Sequence, residues 1–122
     1  MNYKFTSDKP IYVQLVDLFK TGILSGEYPL GSRLGSVRDL AVAAKVNPNT
    51  MQKALSELER IGLIRTERTS GRFITDDSGK IEAMRKELAE SEIELFLEKM
   101  KTLGFSNAEV VSLISELKEG EL

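Results

Sequence analysis

Three observations predict a mostly α-helical fold with one small β-hairpin. Residues 36–75 read as a short helix, a turn, a second helix with a polar start, and two short strands around a basic turn. On either side of this block, apolar residues recur at helical spacing. Charge also changes at its end: residues 1–75 hold 11 Lys+Arg against 7 Asp+Glu, and residues 76–122 hold 6 against 12. The order of the parts predicts an N-terminal winged helix-turn-helix over residues 1–75 and a C-terminal two-helix dimerisation tail over residues 76–122.

Pro10 opens the first helix, where a missing N–H costs nothing. Ile11, Leu15, Leu18, Phe19 and Ile23 follow near helical spacing, and Gly26 is a stop. Residues 27–35 contain Pro29, Gly31 and Gly35 and predict a loop, with Leu30 and Leu34 pinning it to the core. Ser36 is an N-cap for the second helix, whose inward residues are Val37, Leu40, Ala41 and Ala44. Lys45-Val46 makes the turn. Asn47 caps the third helix and Pro48 stands at its first position. Met51, Ala54, Leu55, Leu58 and Ile61 form its apolar stripe, and Gly62 ends it. Residues 63–67 and 72–75 read as strands, with Gly71 supplying the backbone freedom of the turn.

Residues 76–79 predict a polar hinge before a long helix from about Lys80 to Leu103. Its apolar positions start at Ile81, Met84, Leu88 and Leu95, then shift to Ile93, Phe96, Leu97, Met100 and Leu103, so its second half is apolar on two sides. Gly104 stops it. Ser106 and Glu109 form a capping box for a last helix with one apolar face, Val110, Leu113, Ile114 and Leu117.

The composition narrows the chemistry. The chain has 122 residues, 41% of them hydrophobic, with no cysteine and no histidine. Disulfides and thiolate metal sites are excluded, and zinc chemistry and acid–base triads lose their usual parts. No run of 18 apolar residues exists, and the first eight residues lack the apolar core of a signal peptide. The expectation is a cytoplasmic protein that is not an enzyme, needs no cofactor or metal, and touches no membrane. Glu90, Glu94 and Glu98 share a helical face, but without a histidine or a converging partner they read as a solvated acidic surface.

The third helix carries the recognition chemistry. Its inward stripe leaves Asn49, Thr50, Gln52, Lys53 and Ser56 outside. The first four crowd the N-terminal turns, where recognition helices touch base edges. Asn and Gln amides can pair with adenine N6 and N7, and Thr50 can meet a phosphate or a thymine methyl. Arg38, near the start of the second helix, suits a phosphate or a guanine edge, with a local ion pair to Asp39 as the alternative. Arg68 and Arg72 flank the wing turn and suit phosphates or a minor groove, with protection of a strand edge as the alternative.

The tail cannot bury itself. A buried Leu, Ile or Phe side chain is worth about 1.5–3 kcal/mol, so Ile93, Phe96, Leu97, Met100, Leu113, Ile114 and Leu117 call for a partner surface. A second copy of the chain is the simplest partner, and a two-fold dimer suits a palindromic double-stranded DNA site. Packing back onto the winged domain is the alternative. A dimer cleft lined by Phe19, Phe96 and Met100 could also hold an apolar small-molecule effector, although these residues equally suit plain core. A rival from another class is a winged-helix module that binds protein and does not read DNA sequence.

The block from Pro10-Ile-Tyr-Val-Gln-Leu through Leu34-Gly-Ser-Val-Arg-Asp-Leu-Ala and Asn47-Pro-Asn-Thr to Gly62-Leu-Ile and Gly71-Arg-Phe-Ile resembles the GntR family of bacterial transcription regulators. The Asn-Pro-Asn-Thr run and the short tail look like the YtrA subfamily. The resemblance implies a homodimeric regulator, usually a repressor. It implies DNA contacts at Ser36, Arg38, Asn47, Asn49, Thr50, Gln52, Lys53 and the wing around Gly71. The chain departs from the family pattern at Gly35, which stands for a common Pro, at Lys53 for a frequent Arg, at Thr69 for a frequent Gly, and at Arg72 for a frequent Thr.

Overall fold

The computed structural model describes residues 2–117. The elements run α1 (Ile11–Ser25), α2 (Val37–Ala44), α3 (Pro48–Arg60), β1 (Ile64–Glu67), β2 (Gly71–Ile74), α4 (Ser78–Thr102) and α5 (Asn107–Glu116). The strands form one antiparallel hairpin, so the fold is the mostly helical one with a single wing that the sequence predicts. Two compact units divide the chain, Met1–Ala83 and Met84–Leu122.

In the first unit, Pro10 starts α1 by accepting at its carbonyl from Val13 and Gln14. Gly26 ends the helix with φ +90°, a conformation that a Cβ would disfavour. Leu15, Phe19 and Ile23 are buried with Met51, Ala54, Leu55 and Leu58 of α3, and the hairpin adds Ile64 and Ile74. Phe19 lies in an aromatic group, its ring centroid 5.8 Å from Tyr28 and 6.5 Å from Tyr3. Burial pushes the Tyr28 hydroxyl well above its usual range, with Tyr3 adding to the shift.

One expectation fails in the loop before α2. Leu34 is buried, but Leu30 is 42% exposed. Ser32 N–H bonds to Pro29 carbonyl oxygen at 3.1 Å, which puts Leu30 at the corner of a tight turn, followed by Gly31 at φ +76°. A corner residue of such a turn points to solvent. Leu34 is fixed by its backbone, donating to the Arg72 carbonyl at 2.9 Å.

Capping decides where the two reading helices begin. Ser36 Oγ accepts from Asp39 N–H, and Asn47 Oδ1 accepts from Asn49 N–H at 2.7 Å. Between the helices the chain reverses at Lys45, whose φ of 58° and ψ of 46° are left-handed. It is the one non-glycine with positive φ among the described residues.

The hairpin pairs Ile64 with Ile74, Arg65 with Phe73, Thr66 with Arg72 and Glu67 with Gly71. Side chains alternate across a strand, so Ile64, Thr66, Arg72 and Ile74 share one face of the wing. Arg65 and Phe73 share the other, with the guanidinium 5.0 Å from the ring centroid. Arg65 also pairs with Glu67.

α4 starts at Ser78, ahead of the expected Lys80. The Asp77 carboxylate accepts from Lys80 N–H at 3.0 Å, and this local cap draws Ser78 and Gly79 into the first turn. Ile81 is buried.

The second unit is the rest of α4 and α5. Gly104, at φ +91°, ends the long helix. The capping box before α5 is complete: Glu109 N–H donates to Ser106 Oγ, and Ser106 N–H donates to Glu109 Oε1. The Ser106 backbone N–H, with the Ser106 side chain adding, holds the Glu109 carboxyl below the usual carboxylate range. Of the expected apolar face of α5 only Val110 is buried, while Leu113, Ile114 and Leu117 remain exposed. Ile93, Leu95 and Phe96 on α4 are exposed as well. Phe96, Met100, Val110, Leu113, Ile114 and Leu117 line an open groove of about 410 Å³, with Glu116 its one charged lining residue. Among the described residues no helix is long and apolar enough to cross a membrane.

Candidate nucleic-acid interface

The reading surface is built on α3. Its buried stripe of Met51, Ala54, Leu55 and Leu58 fixes the rotation of the helix, which leaves Asn49 and Lys53 exposed and Thr50 and Gln52 half-exposed. The positive end of the helix dipole lies at the same turns and favours an anion such as a phosphate, although Pro48 has no N–H and the Asn49 N–H is taken by the Asn47 cap.

Each expected contact residue has a definite local setting. Ser36 and Asn47 are both spent on caps, so their side-chain oxygens already accept a backbone N–H. Arg38 is exposed, and among the described residues neither Asp39 nor any other group forms an ion pair or hydrogen bond with its guanidinium. Arg68, at the wing turn, is likewise exposed and unpaired among the described residues. Such unpaired arginines keep their full donor set for an incoming phosphate.

Lys53 and Gln52 are held from other elements. The Lys53 ammonium sits 3.8 Å from the centroid of the Tyr12 ring, on the first turn of α1. A cation over an exposed ring gains about 0.5–1 kcal/mol, enough to restrict where the flexible lysine points. Gln52 accepts at Oε1 from Arg72 Nη2 at 3.2 Å and donates from Nε2 to Ser56 Oγ at 3.1 Å. Arg72 is therefore turned toward α3, unlike Arg68. Its Nε is buried without a partner among the described residues.

Gly71 ends the wing turn with φ +105°. A Cβ there would also come within 3.3 Å of the Arg33 guanidinium. Arg33 Nε donates to the Ser70 carbonyl at 2.9 Å, and the Arg33 backbone bridges to Phe73. Arg33 thus adds a cation to the wing.

Tyr12 and Arg33 are site residues that sequence reasoning missed. Tyr12 lies among the apolar residues of α1, and nothing local marks its ring as a rest for Lys53. Arg33 reads as part of a turn-rich loop, and its partner is 37 residues away. A periodicity scan sees neither kind of contact.

The chain's similarity to known proteins follows the same regions. The sequence model for bacterial regulatory proteins of the GntR family matches residues 11–74, from the start of α1 to the end of the wing. YhcF, an uncharacterized HTH-type transcriptional regulator of Bacillus subtilis, is 37% identical, covering 98% of this chain and 99% of its own length. YtrA, an HTH-type transcriptional repressor of the same organism, is 34% identical, covering 93% and 85%. A solved GntR family transcriptional regulator from Listeria monocytogenes is 36% identical with a TM-score of 0.84, covering 93% of this chain and all of that one.

Proposed function

Because the chain belongs to the GntR family of bacterial regulatory proteins, and is a transcription regulator with a DNA-binding helix-turn-helix and not an enzyme, we propose that it acts as a homodimeric repressor on a palindromic operator. The observation that carries this reading is the surface around α3. Asn49, Gln52 and Lys53 stand together there, the latter two oriented by side chains from β2 and α1.

In this reading α3 enters the major groove with Asn49, Thr50 and Gln52 at base edges. Ser36 and Asn47, through the helix starts they cap, and Arg38 and Lys53, through their charge, meet the backbone. The wing lies on the backbone or in the minor groove, with Gly71 allowing close approach and Arg68 supplying charge. Residues 1–75 bind DNA, and residues 76–122 join two copies in the cytoplasm.

The exposed apolar faces of α4 and α5 support the dimer. The groove lined by Phe96, Met100, Leu113, Ile114 and Leu117 is open, and exposed Ile93 adds to the apolar surface. We assign it to the second copy and not to a small effector.

Selection from a randomised duplex library at two salt concentrations tests the operator reading. The expected result is an enriched palindrome. Retention of duplexes without enrichment would reduce the protein to a charge-driven binder. On the enriched site, Lys53→Ala and Arg68→Ala should each weaken binding to all sequences alike and flatten the slope of log K against log salt by about 0.9 per lost phosphate contact. A slope that both variants leave unchanged would remove these residues from the backbone contacts.

A further inference from the structure

We infer that Arg72, a wing residue, is a positioning residue for base specificity that acts through Gln52. The inference rests on the operator reading above, and it assigns to Arg72 a role different from that of the free wing arginine Arg68.

The argument begins with a weakness of glutamine as a reader. A bidentate contact to adenine needs the amide oxygen and the amide nitrogen each in its own place. The two ends of the amide are nearly equal in size, so a free glutamine can present either one. Ser56 cannot decide between them, because a hydroxyl both donates and accepts. Arg72 can, because a guanidinium only donates. With Arg72 Nη2 3.2 Å from one end, that end must be the oxygen, and the nitrogen is left to donate to Ser56 Oγ at 3.1 Å. Each end keeps one further site, a lone pair on Oε1 and a hydrogen on Nε2, for a base edge.

The fold explains why Arg72 reaches this place. Thr66 and Arg72 are cross-strand partners, one pair beyond Ile64 and Ile74 on the same face of the wing. Ile64 and Ile74 are buried, so the next pair along that face emerges beside α3. Thr66 Oγ1 donates to Glu59 there at 2.9 Å. Gln52, Ser56 and Glu59 follow at i, i+4 and i+7 and form one stripe of α3. Among the described residues two side-chain hydrogen bonds thus join the wing to the reading helix, and of these the one at Gln52 involves an expected base-contacting side chain.

Arg72 is poorly placed to serve stability. Its Nε is buried with no partner among the described residues, which is a desolvation cost that an apolar side chain would not carry. Arg72→Met keeps much of the stem's packing and discards both the orphan donor and the bond to Gln52.

The test is library selection with the parent, Gln52→Ala, Arg72→Met, the double variant and Ser56→Ala, each with a thermal unfolding curve and a salt series. Gln52→Ala should lose discrimination at particular bases by roughly tenfold. Arg72→Met should lose it at the same bases, the double variant should be no worse than Gln52→Ala, and the salt slope and unfolding midpoint of Arg72→Met should stay at or above parent values. Ser56→Ala should keep the parent preference, since Arg72 alone orients the amide. A uniform loss of affinity in Arg72→Met with a flatter salt slope would overturn the inference and make Arg72 a phosphate contact. So would loss of preference in Ser56→Ala with Arg72→Met unaffected, or additive losses in the double variant. A parent that enriches no sequence would overturn the operator reading itself, and the inference with it.

Discussion

Ile114→Asp should convert the proposed homodimer to monomers and weaken binding to the selected operator by about 10²–10⁴-fold. Ile114 is 43% exposed on α5 and lines the apolar groove, so its replacement costs the single chain little. Across a dimer interface the same carboxylate would be desolvated without a partner, which a modest apolar contact cannot offset. Once the copies separate, the second half-site no longer benefits from the effective concentration that linkage provides, and this sets the size of the loss. Sedimentation of the variant checks the assembly, and titration with the selected operator checks the affinity. Phe96→Asp, on α4, should behave in the same way. A dimer that persists at micromolar concentration in both variants would place the interface elsewhere.

Phe19→Ala should remove about 3–5 kcal/mol of stability from the winged unit. The side chain is fully buried in α1, and its ring adjoins those of Tyr3 and Tyr28. Deleting it loses the transfer free energy of the ring and leaves a cavity that α3 cannot readily close, since Met51, Leu55 and Leu58 are themselves fully buried. Against a typical domain stability of about 5–15 kcal/mol the loss is a large share. Urea titration should show a lower midpoint with an unchanged slope. A loss below about 1 kcal/mol would mean that Tyr3 and Tyr28 collapse into the space.

Features set by neighbouring residues could be read from the sequence. The caps at Ser36 and Asn47, the complete capping box of Ser106 and Glu109, and the positive φ of Gly71 each follow from a local hydrogen bond or a missing Cβ. The inward stripe of α3 follows from helical spacing. α4 starts ahead of Lys80 because Asp77, a polar hinge residue by its sequence neighbours, caps the helix. Leu30 reads as inward because it is apolar, whereas the turn from Pro29 to Ser32 points it outward. Arg72 shows the limit most clearly. Its sequence neighbours mark it as a wing cation, but strand register turns it toward Gln52, 20 residues away.

The turn between α2 and α3 has one further consequence. Lys45 holds a left-handed conformation in which a Cβ costs about 1–2 kcal/mol and glycine costs nothing comparable. The side chain is exposed, so the lysine contributes a positive charge and not packing. Thermal resilience and electrostatic attraction are therefore opposed at this position: the residue that would relax the corner would also discharge it. How tightly the turn holds and how strongly the surface attracts polyanions are both adjustable at residue 45, in opposite directions, without disturbing the core.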